Sequence, residues 1–359
     1  MTDDLKISKS IIRNATIDPS HSAKAVDLIY VNDNQLSIER KGGKGSFYYA
    51  SNNKKITDLH LIERIKKLAI PPAWKEVRIC RLDNGHLQAT GYDVLNRKQY
   101  RYHKSWSVIR NHTKFYRLQD FGRQLPAIRK QIEKDLSLPG YPREKILAAV
   151  VSLMERTHIR VGNSSYEKLY GSFGLSTLKN KHVSLNGTKM LFTFKGKKGI
   201  KHTITLKSKR LAKIVKGCKE IPGKDLFEYI DENGAVNNVD SGMINDYIKN
   251  ISQGDFTAKD FRTWAGSVLS LLAFKEAGDF GSETEMKHKI NSAFGNVAKD
   301  LGNTAAVCRK YYVHSVIVKL YEEKKLDKYI MNLNGPELTD NQSGLTSEEK
   351  ILIKILEEN

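Results

Sequence analysis

The sequence predicts an α+β protein with an N-terminal, mainly antiparallel β domain and a larger, mainly α-helical domain. Short strand-like runs separated by Asn, Asp and Gly turns fill the first part of the chain, and longer stretches with helical apolar spacing follow. A length of 359 residues also suits two domains better than one. We divide the chain into an irregular lead-in at 1–24, a β-rich domain at 25–110, a helical domain at 111–330 and a C-terminal tail at 331–359.

The charge of the chain indicates a polyanionic partner. The formal net charge is +20, and the basic residues are spread over the whole length. Neutralising nucleic-acid phosphates releases counterions, which favours binding by such a surface. The three cysteines form no CxxC pair, which argues against a zinc ribbon or a disulfide framework. No apolar run approaches a membrane span and no signal-peptide core is present, so we expect a cytoplasmic protein.

The N-terminal part alternates strand-like runs with turn residues. One helix is expected at 57–69, where apolar residues repeat with helical spacing. The stretch GGKGS at 42–46 lacks the spacing of a Walker A loop, so it predicts a turn and no nucleotide site. The strand-like runs lie at 26–31, 36–40, 47–50, 76–82, 86–92 and 98–103.

The run at 98–103 combines aromatic and basic residues. Alternation places Tyr100 and Tyr102 on one face, and Gln99 and Arg101 on the other. One interpretation is a half-buried strand with a solvated basic face. The other is a strand laid against DNA, with Gln or Arg reaching base edges and Tyr contacting phosphates. The residues alone leave both open.

The larger part is predicted to begin after a linker near 103–116. Helices are expected at 114–136 and 143–158, and two or three more at 208–252. The stretch 182–206 predicts a three-stranded antiparallel sheet, because it contains an Asn-Gly turn and a second turn rich in Lys and Gly.

Arg160 is a candidate phosphate ligand. It follows the helix predicted at 143–158 and lies beside Gly162, where a backbone can approach a ligand closely. The alternative is a surface ion pair with Glu155 or Glu167.

The second turn of the predicted sheet carries Lys195, Lys197 and Lys198. Such a turn is often only a solvated loop. It can also act as a mobile arm that delivers an ammonium group to DNA. The sequence alone does not choose among the three lysines.

A second arginine and a tyrosine join Arg160 and the turn lysines as candidate functional residues. Thr257 with an acidic residue three positions later starts a helix, and Arg262 lies in its first turns, near the positive end of the helix dipole. Asn303 lies nine residues before Tyr312 and can donate an amide hydrogen bond to a phosphate, or can instead cap the helix that follows. Two arginines, a lysine and a tyrosine suffice to attack a phosphodiester without a metal.

Five stretches resemble the type IB DNA topoisomerases of the small bacterial and poxvirus kind. They occur in family order and cover most of the chain from about residue 70 to 325. They are GYDVLNRKQYRYHKSW (91–106), ERTHIRVGNSSYEKLYGSFGLSTLKNKHV (155–183), FKGKKGIKH (194–202), KDFRTWAGS (259–267) and LGNTAAVCRKYYVH (301–314).

The resemblance implies a role for each candidate residue. Arg160, Arg262 and Asn303 would bind the scissile phosphate, Lys197 would be the general acid, and Tyr312 would be the nucleophile. Poxvirus members usually have histidine at the position of Asn303, and many bacterial members have asparagine. The DNA contacts that the resemblance implies are Gln99, Tyr100, Tyr102 and Tyr166.

The implied activity is relaxation of supercoiled duplex DNA through a 3′-phosphotyrosyl intermediate. It needs no ATP, metal or other cofactor, and we expect a monomer whose two domains clamp the duplex. One alternative is a tyrosine recombinase or resolvase, but recombinases typically have histidine where Lys259 stands. The other is a basic DNA-binding protein without catalysis, which an intact set of candidate residues disfavours.

Overall fold

The structure is a computed structural model that describes residues 19–43, 46–94, 96–331, 333 and 343–359. Residues 1–18 of the predicted lead-in and 334–342 of the predicted tail lie outside the described residues. Contacts between Cα atoms divide the chain after Arg117 into two units, each taken here by itself. The predicted fold class is confirmed, because an antiparallel sheet dominates the first unit and helices dominate the second.

The first unit is built on an antiparallel sheet, whose described strands have the order β3-β2-β1-β4-β5-β6. Its core lies between the sheet and one helix, α2 (Leu59–Lys67), where Ile65 packs with Ile38, Ile79 and Ala89. The strands are β1 (Ile38–Gly43), β2 (Ser46–Ser51), β3 (Lys54–Lys55), β4 (Lys75–Ile79), β5 (Leu87–Tyr92) and β6 (Lys98–Tyr102).

The strand predicted at 26–31 is wrong. A short helix, α1 (Pro19–Lys24), precedes a turn in which Asp27 adopts a positive φ of 56°. That backbone conformation interrupts an extended run. Val26 and Leu28 are instead buried in a cluster with Trp106, so burial of apolar side chains and not strand pairing explains their pattern.

The helix predicted at 114–136 begins earlier, and the predicted linker at 103–116 is largely helical. Helix α3 runs without interruption from Lys104 to Leu136. Trp106 and Ile109, three residues apart on one helix face, pack into the cluster with Val26 and Leu28. This local burial stabilises a helical start where the basic and polar sequence had indicated a connection.

Helices form most of the second unit. In α4 the predicted apolar stripe, which includes Ile146, Val150 and Leu153, is fully buried. The helices are α4 (Arg143–Thr157), α5 (Ser164–Tyr170), α6 (Lys209–Cys218), α7 (Ser241–Ser252), α8 (Ala258–Ala277), α9 (Glu283–Leu301), α10 (Ala305–Tyr311), α11 (Ser315–Glu322), α12 (Asp327–Ile330) and α13 (Ser347–Glu358).

Two small sheets accompany these helices. The three-stranded sheet expected at 182–206 is present as β7 (Val183–Asn186), β8 (Lys189–Lys195) and β9 (Lys201–Lys207). The region predicted as helices at 208–252 also contains a hairpin, β10 (Glu228–Ile230) and β11 (Val236–Asn238). The carboxylate of Asp231 accepts hydrogen bonds from the backbone N–H groups of Asn233 and Ala235 and fixes this turn.

The three cysteines are buried and form no disulfide. Burial raises the pKa of all three thiols, to about 12 at Cys218 and to about 11 at Cys308. In the part of the chain that the structure describes, no helix has the length and apolarity needed to cross a bilayer.

The C-terminal helix α13 is anchored to α8 by a buried polar network. Glu349 accepts hydrogen bonds from both terminal nitrogens of Arg129, at 2.9 and 2.8 Å, and from Trp264 Nε1 at 3.0 Å. Arg129 also binds Glu155 of α4, with 2.8 Å between Nη2 and Oε1. Leu352 and Ile355 of α13 are fully buried beside this network. The helix that carries Arg262 is thereby tied to the end of the chain.

We expect Glu349→Ala to destabilise the second unit by about 3 kcal/mol, since it leaves the indole N–H of Trp264 and part of Arg129 unpaired in the interior. The matched control is Glu357→Ala on the same helix as Glu349, which breaks an exposed ion pair with Arg123 of α3 and should cost less than about 1 kcal/mol. Urea unfolding of both variants measures the difference. Equal losses would show that the buried network is not what fixes α13.

Candidate active site

Arg160 is placed by a close approach of two backbone segments just after α4. His158 ends that helix in a left-handed conformation, with φ 56°, and Gly162 has φ 106°. The carbonyl of Arg160 accepts a hydrogen bond from Leu175 N at 2.8 Å. A Cβ on Gly174 would lie 2.5 Å from that carbonyl oxygen and 2.6 Å from Gly162 Cα, so neither segment could come as close with a side chain there.

Arg262 lies on the first turns of α8, where the sequence predicted it. Asp260 accepts hydrogen bonds from the N–H and the hydroxyl of Thr257, at 2.8 and 2.9 Å, as expected for a capping box. The Arg262 side chain is 5% exposed. Its terminal nitrogens donate to the carbonyls of His158 and Leu301.

Arg160 and Asn303 are joined directly. Arg160 Nη2 donates to Asn303 Oδ1 and to the carbonyl of Gly302, at 3.2 Å for the latter. The alternative role of Asn303 as a helix cap is not observed, because Thr304 is the N-cap of α10 and accepts from Val307 N.

The ion pairs considered for Arg160 are not formed. Glu155 binds Arg129, and Glu167 binds Lys179 with 2.6 Å between Nζ and Oε1. Arg160 therefore has carbonyl and amide partners rather than carboxylates among the described residues.

The carbonyls that hold both arginines come from helix C-termini. His158 is the C-cap of α4, while Leu301 ends α9 and Gly302 caps it. The last carbonyls of a helix lack intrahelical partners and carry the negative end of the helix dipole. They satisfy guanidinium N–H groups without supplying a full negative charge.

The resulting site has uncompensated positive charge. Burial, and then the neighbouring Arg262 charge, lower the pKa of Arg160. Two buried donor atoms, Arg262 Nε and Asn303 Nδ2, have no hydrogen-bond partner within the described residues. Buried donors without partners are costly in a folded protein, so these two are suited to an anion.

Tyr312 lies beside Arg262, whose Cζ is 5.2 Å from the centroid of the tyrosine ring. It ends α10, and its carbonyl accepts a hydrogen bond from Ser267 Oγ at 3.3 Å. Gly266 permits this approach, because a Cβ there would lie 2.6 Å from Tyr312 O and 2.9 Å from Tyr312 Cβ. The neighbouring Tyr311 is 40% exposed.

Lys197 lies at the exposed tip of the β8–β9 hairpin, beside Lys198, which has a positive φ of 61°. The hairpin is closed by Gly196 N donating to Ile200 O at 2.7 Å. The end of β8 just before this tip is joined to the segment that also contacts Arg160. Phe173 N donates to Lys195 O at 2.8 Å, and Leu175 N donates to Arg160 O. The side chain of Lys197 makes no hydrogen bond or ion pair with any residue that the structure describes, and its role remains a prediction.

The predicted DNA contacts differ in their surroundings. Tyr100 and Tyr102 are 44% and 45% exposed, and their rings stack with centroids 5.9 Å apart. Gln99 points to the opposite face, where its amide donates to Asp93 Oδ2 at 3.0 Å. Tyr166 of α5 is 44% exposed. Their contact with DNA stays a prediction.

The residues that sequence reasoning missed are mainly backbone supports. His158, Gly174 and Gly266 position the arginines and the tyrosine without being chemical candidates themselves. The signal available for the glycines was their place inside the GSFG and WAGS stretches. Within the described ranges, no group of three or more His, Cys, Asp and Glu side chains could hold a metal ion.

The buried guanidinium of Arg262, the part-buried guanidinium of Arg160 and an amide beside a tyrosine define a protein suited to binding phosphodiesters. Comparisons with known proteins specify the family. A model of the eukaryotic DNA topoisomerase I catalytic core matches residues 103–335, and a model of the bacterial DNA topoisomerase IB N-terminal domain matches residues 46–93.

Two viral proteins are similar in sequence to this chain. The chain is 33% identical over 291 residues to the DNA topoisomerase 1B of Acanthamoeba polyphaga mimivirus, covering 79% of this chain and 86% of that protein. It is 26% identical over 241 residues to the DNA topoisomerase 1B of Vaccinia virus (strain Copenhagen), covering 65% and 72%. The chain therefore belongs to the type IB DNA topoisomerase family, a family of enzymes that relax DNA, which confirms the resemblance found in the sequence.

We expect Gly266→Ala to slow DNA relaxation by about 10- to 100-fold, because the added methyl group displaces the backbone of Tyr312 beside Arg262. The control is Gly295→Ala in α9, where a Cβ meets nothing within 4 Å. That change should leave the reaction unaffected and add up to about 1 kcal/mol of stability. The rate at which supercoiled plasmid DNA is relaxed is the measurement. A Gly266→Ala protein with the wild-type rate would contradict the proposed packing.

Burial, and then the charge of Arg262, lower the pKa of His158 from 6.5 to about 4. Between pH 6.5 and about pH 4, His158 takes up a proton in the unfolded chain but not in the folded protein. Lowering the pH through this range therefore favours unfolding. Relative to His158→Asn, the wild type should lose roughly 3 kcal/mol of stability as pH falls from 6.5 to 4. Asparagine tolerates the left-handed backbone. Urea unfolding across this range measures the effect, with His288→Asn at an exposed position as the control. Parallel pH profiles for wild type and His158→Asn would contradict it.

Proposed function

We propose that the protein relaxes supercoiled duplex DNA by transient cleavage of one strand through a 3′-phosphotyrosyl bond to Tyr312. The observation that carries the proposal is the pair of buried, unpartnered donors, Arg262 Nε and Asn303 Nδ2, beside the Tyr312 ring. A phosphodiester in this position would supply the acceptors and the negative charge that the site lacks.

Arg160, Arg262 and Asn303 would bind the non-bridging oxygens of the scissile phosphate. Negative charge on these oxygens grows as phosphorus becomes five-coordinate, so fixed donors stabilise the transition state more than the ground state. The donors need little reorganisation, because helix-end carbonyls already hold both guanidiniums.

Tyr312 would attack phosphorus in line with the 5′ oxygen. The bond from its phenolic oxygen to phosphorus forms, the bond from phosphorus to the 5′ oxygen breaks, and the phenol proton is lost to solvent. The adjacent guanidiniums stabilise negative charge on the attacking oxygen. Tyr311 is less suited, because the packing at Gly266 and Ser267 places Tyr312 beside Arg262.

Lys197 would donate a proton to the departing 5′ oxygen, since an alkoxide is a poor leaving group. Its exposed place on a narrow hairpin suits an arm that closes when DNA is bound. Lys195 and Lys198 remain the competing candidates.

The phosphotyrosyl bond retains the energy of the cleaved phosphodiester, so resealing requires no ATP. Rotation of the free 5′ end before resealing relaxes the supercoil. The partner is duplex DNA, bound by a monomer through its excess of 20 positive charges and through Gln99, Tyr100, Tyr102 and Tyr166. Such a protein would be associated with the nucleoid.

The direct test is relaxation of negatively supercoiled plasmid with EDTA present and ATP absent. Wild type and Tyr311→Phe should relax the plasmid and form a covalent adduct. Tyr312→Phe should still bind DNA but form no adduct, with activity reduced by at least about 10⁴-fold because the nucleophile is missing. Cleavage by Tyr312→Phe would refute the assignment. DNA binding without relaxation by the wild type would favour a recombinase or a non-catalytic binding protein.

A further inference from the structure

His202 of β9 fills a gap beside the candidate active site. It pairs with Phe194 across the hairpin, and the two rings stack with centroids 5.1 Å apart and an interplanar angle of 18°. Two glycines lie against the imidazole. A Cβ on Gly196 would lie 2.6 Å from both Cδ2 and Nε2, and a Cβ on Gly302 would collide with Cε1.

The two glycines belong to different parts of the proposed catalytic machinery. Gly196 directly precedes Lys197, and its N–H closes the hairpin through Ile200 O. Gly302 directly precedes Asn303, and its carbonyl accepts a hydrogen bond from Arg160 Nη2. One side of the imidazole therefore contacts the element with the candidate acid, and another contacts the turn with the phosphate ligands.

The electrostatic surroundings favour an uncharged ring at this position. Burial, and then the charges of Arg160 and Arg262, lower the pKa of His202. A neutral imidazole adds no further positive charge to a site that already holds two guanidiniums. It can thus act as a rigid spacer between the hairpin and the turn.

We infer that His202 is a positioning residue for strand cleavage, whose ring sets the distance between Lys197 and the phosphate held by Arg160 and Asn303. The inference rests on the function proposed above. His202 itself transfers no proton. Its removal would let the hairpin shift relative to the turn, and the ammonium group of Lys197 would no longer reach the departing 5′ oxygen.

If His202 only positions Lys197, loss of the His202 ring should slow only reactions whose leaving group must be protonated. When sulfur replaces the bridging 5′ oxygen, the departing group is a thiolate, which needs no proton because a thiol is a far stronger acid than an alcohol. A variant impaired only in delivery of the proton should recover on that substrate. A variant impaired in phosphate binding, in nucleophilic attack or in folding should remain slow.

The experiment is single-turnover cleavage of two duplexes that differ only in the bridging atom. His202→Ala should be slowed by about 10- to 100-fold on the oxygen substrate and by less than about threefold on the sulfur substrate. His202→Phe keeps a planar ring stacked on Phe194, so it should stay within about fivefold of wild type on both. This second variant also provides a test if His202→Ala folds poorly. Thr203→Ala, an exposed position next to it on β9, is the matched control and should react at the wild-type rate.

A double-mutant cycle tests whether His202 acts through Lys197. On the oxygen substrate, Lys197→Ala with His202→Ala should be no slower than Lys197→Ala alone, because the acid to be positioned is already absent. A double variant that is slower than Lys197→Ala by the full factor measured for His202→Ala would overturn the inference. Equal slowing of His202→Ala on both substrates would also overturn it. Wild-type protein that cleaves neither substrate would instead overturn the proposed function itself, so the two failures are distinguishable.

Discussion

The site depends on two neighbouring guanidiniums, those of Arg160 and Arg262, that are held by helix-end carbonyls. A carboxylate partner would neutralise Arg160 or Arg262 and leave little attraction for a phosphate. Carbonyls at the ends of α4 and α9 accept hydrogen bonds from terminal nitrogens of both side chains but leave most of the charge in place. The fold must therefore bring two helix C-termini to one point. The left-handed His158 and the close approach at Gly174 follow from this requirement.

One helix, α8, positions both Arg262 and Tyr312. Arg262 is in the first turns of α8, and the backbone of Tyr312 rests one turn later against Gly266 and Ser267. Their relative position is therefore set by one helix. The far side of α8 is held through Trp264 by the Arg129–Glu349 network, so α13 supports the same helix from outside the segment matched by the catalytic-core model.

Much of this arrangement was predictable from the sequence, where local chemistry determines local structure. The capping box placed Arg262 correctly, and the Asn-Gly turn located the β7–β9 sheet. The wrong predictions arose where contacts between residues far apart in the sequence determine the local structure. Val26 looked like part of a strand because its packing against Trp106 is not visible in the chain order. The packing of His202 was likewise hidden, because its neighbours Gly196 and Gly302 meet only after folding.

The buried thiols have a practical consequence for spectroscopy. Cys80, Cys218 and Cys308 are inaccessible, and burial disfavours the reactive thiolate in each. Maleimide and methanethiosulfonate reagents should therefore leave the native chain unmodified. A cysteine introduced at the exposed Thr203 would take up a single nitroxide or fluorophore without prior removal of the native thiols. The mobility and environment of that single probe would then report motion of the lysine hairpin when DNA is added, in otherwise unaltered protein.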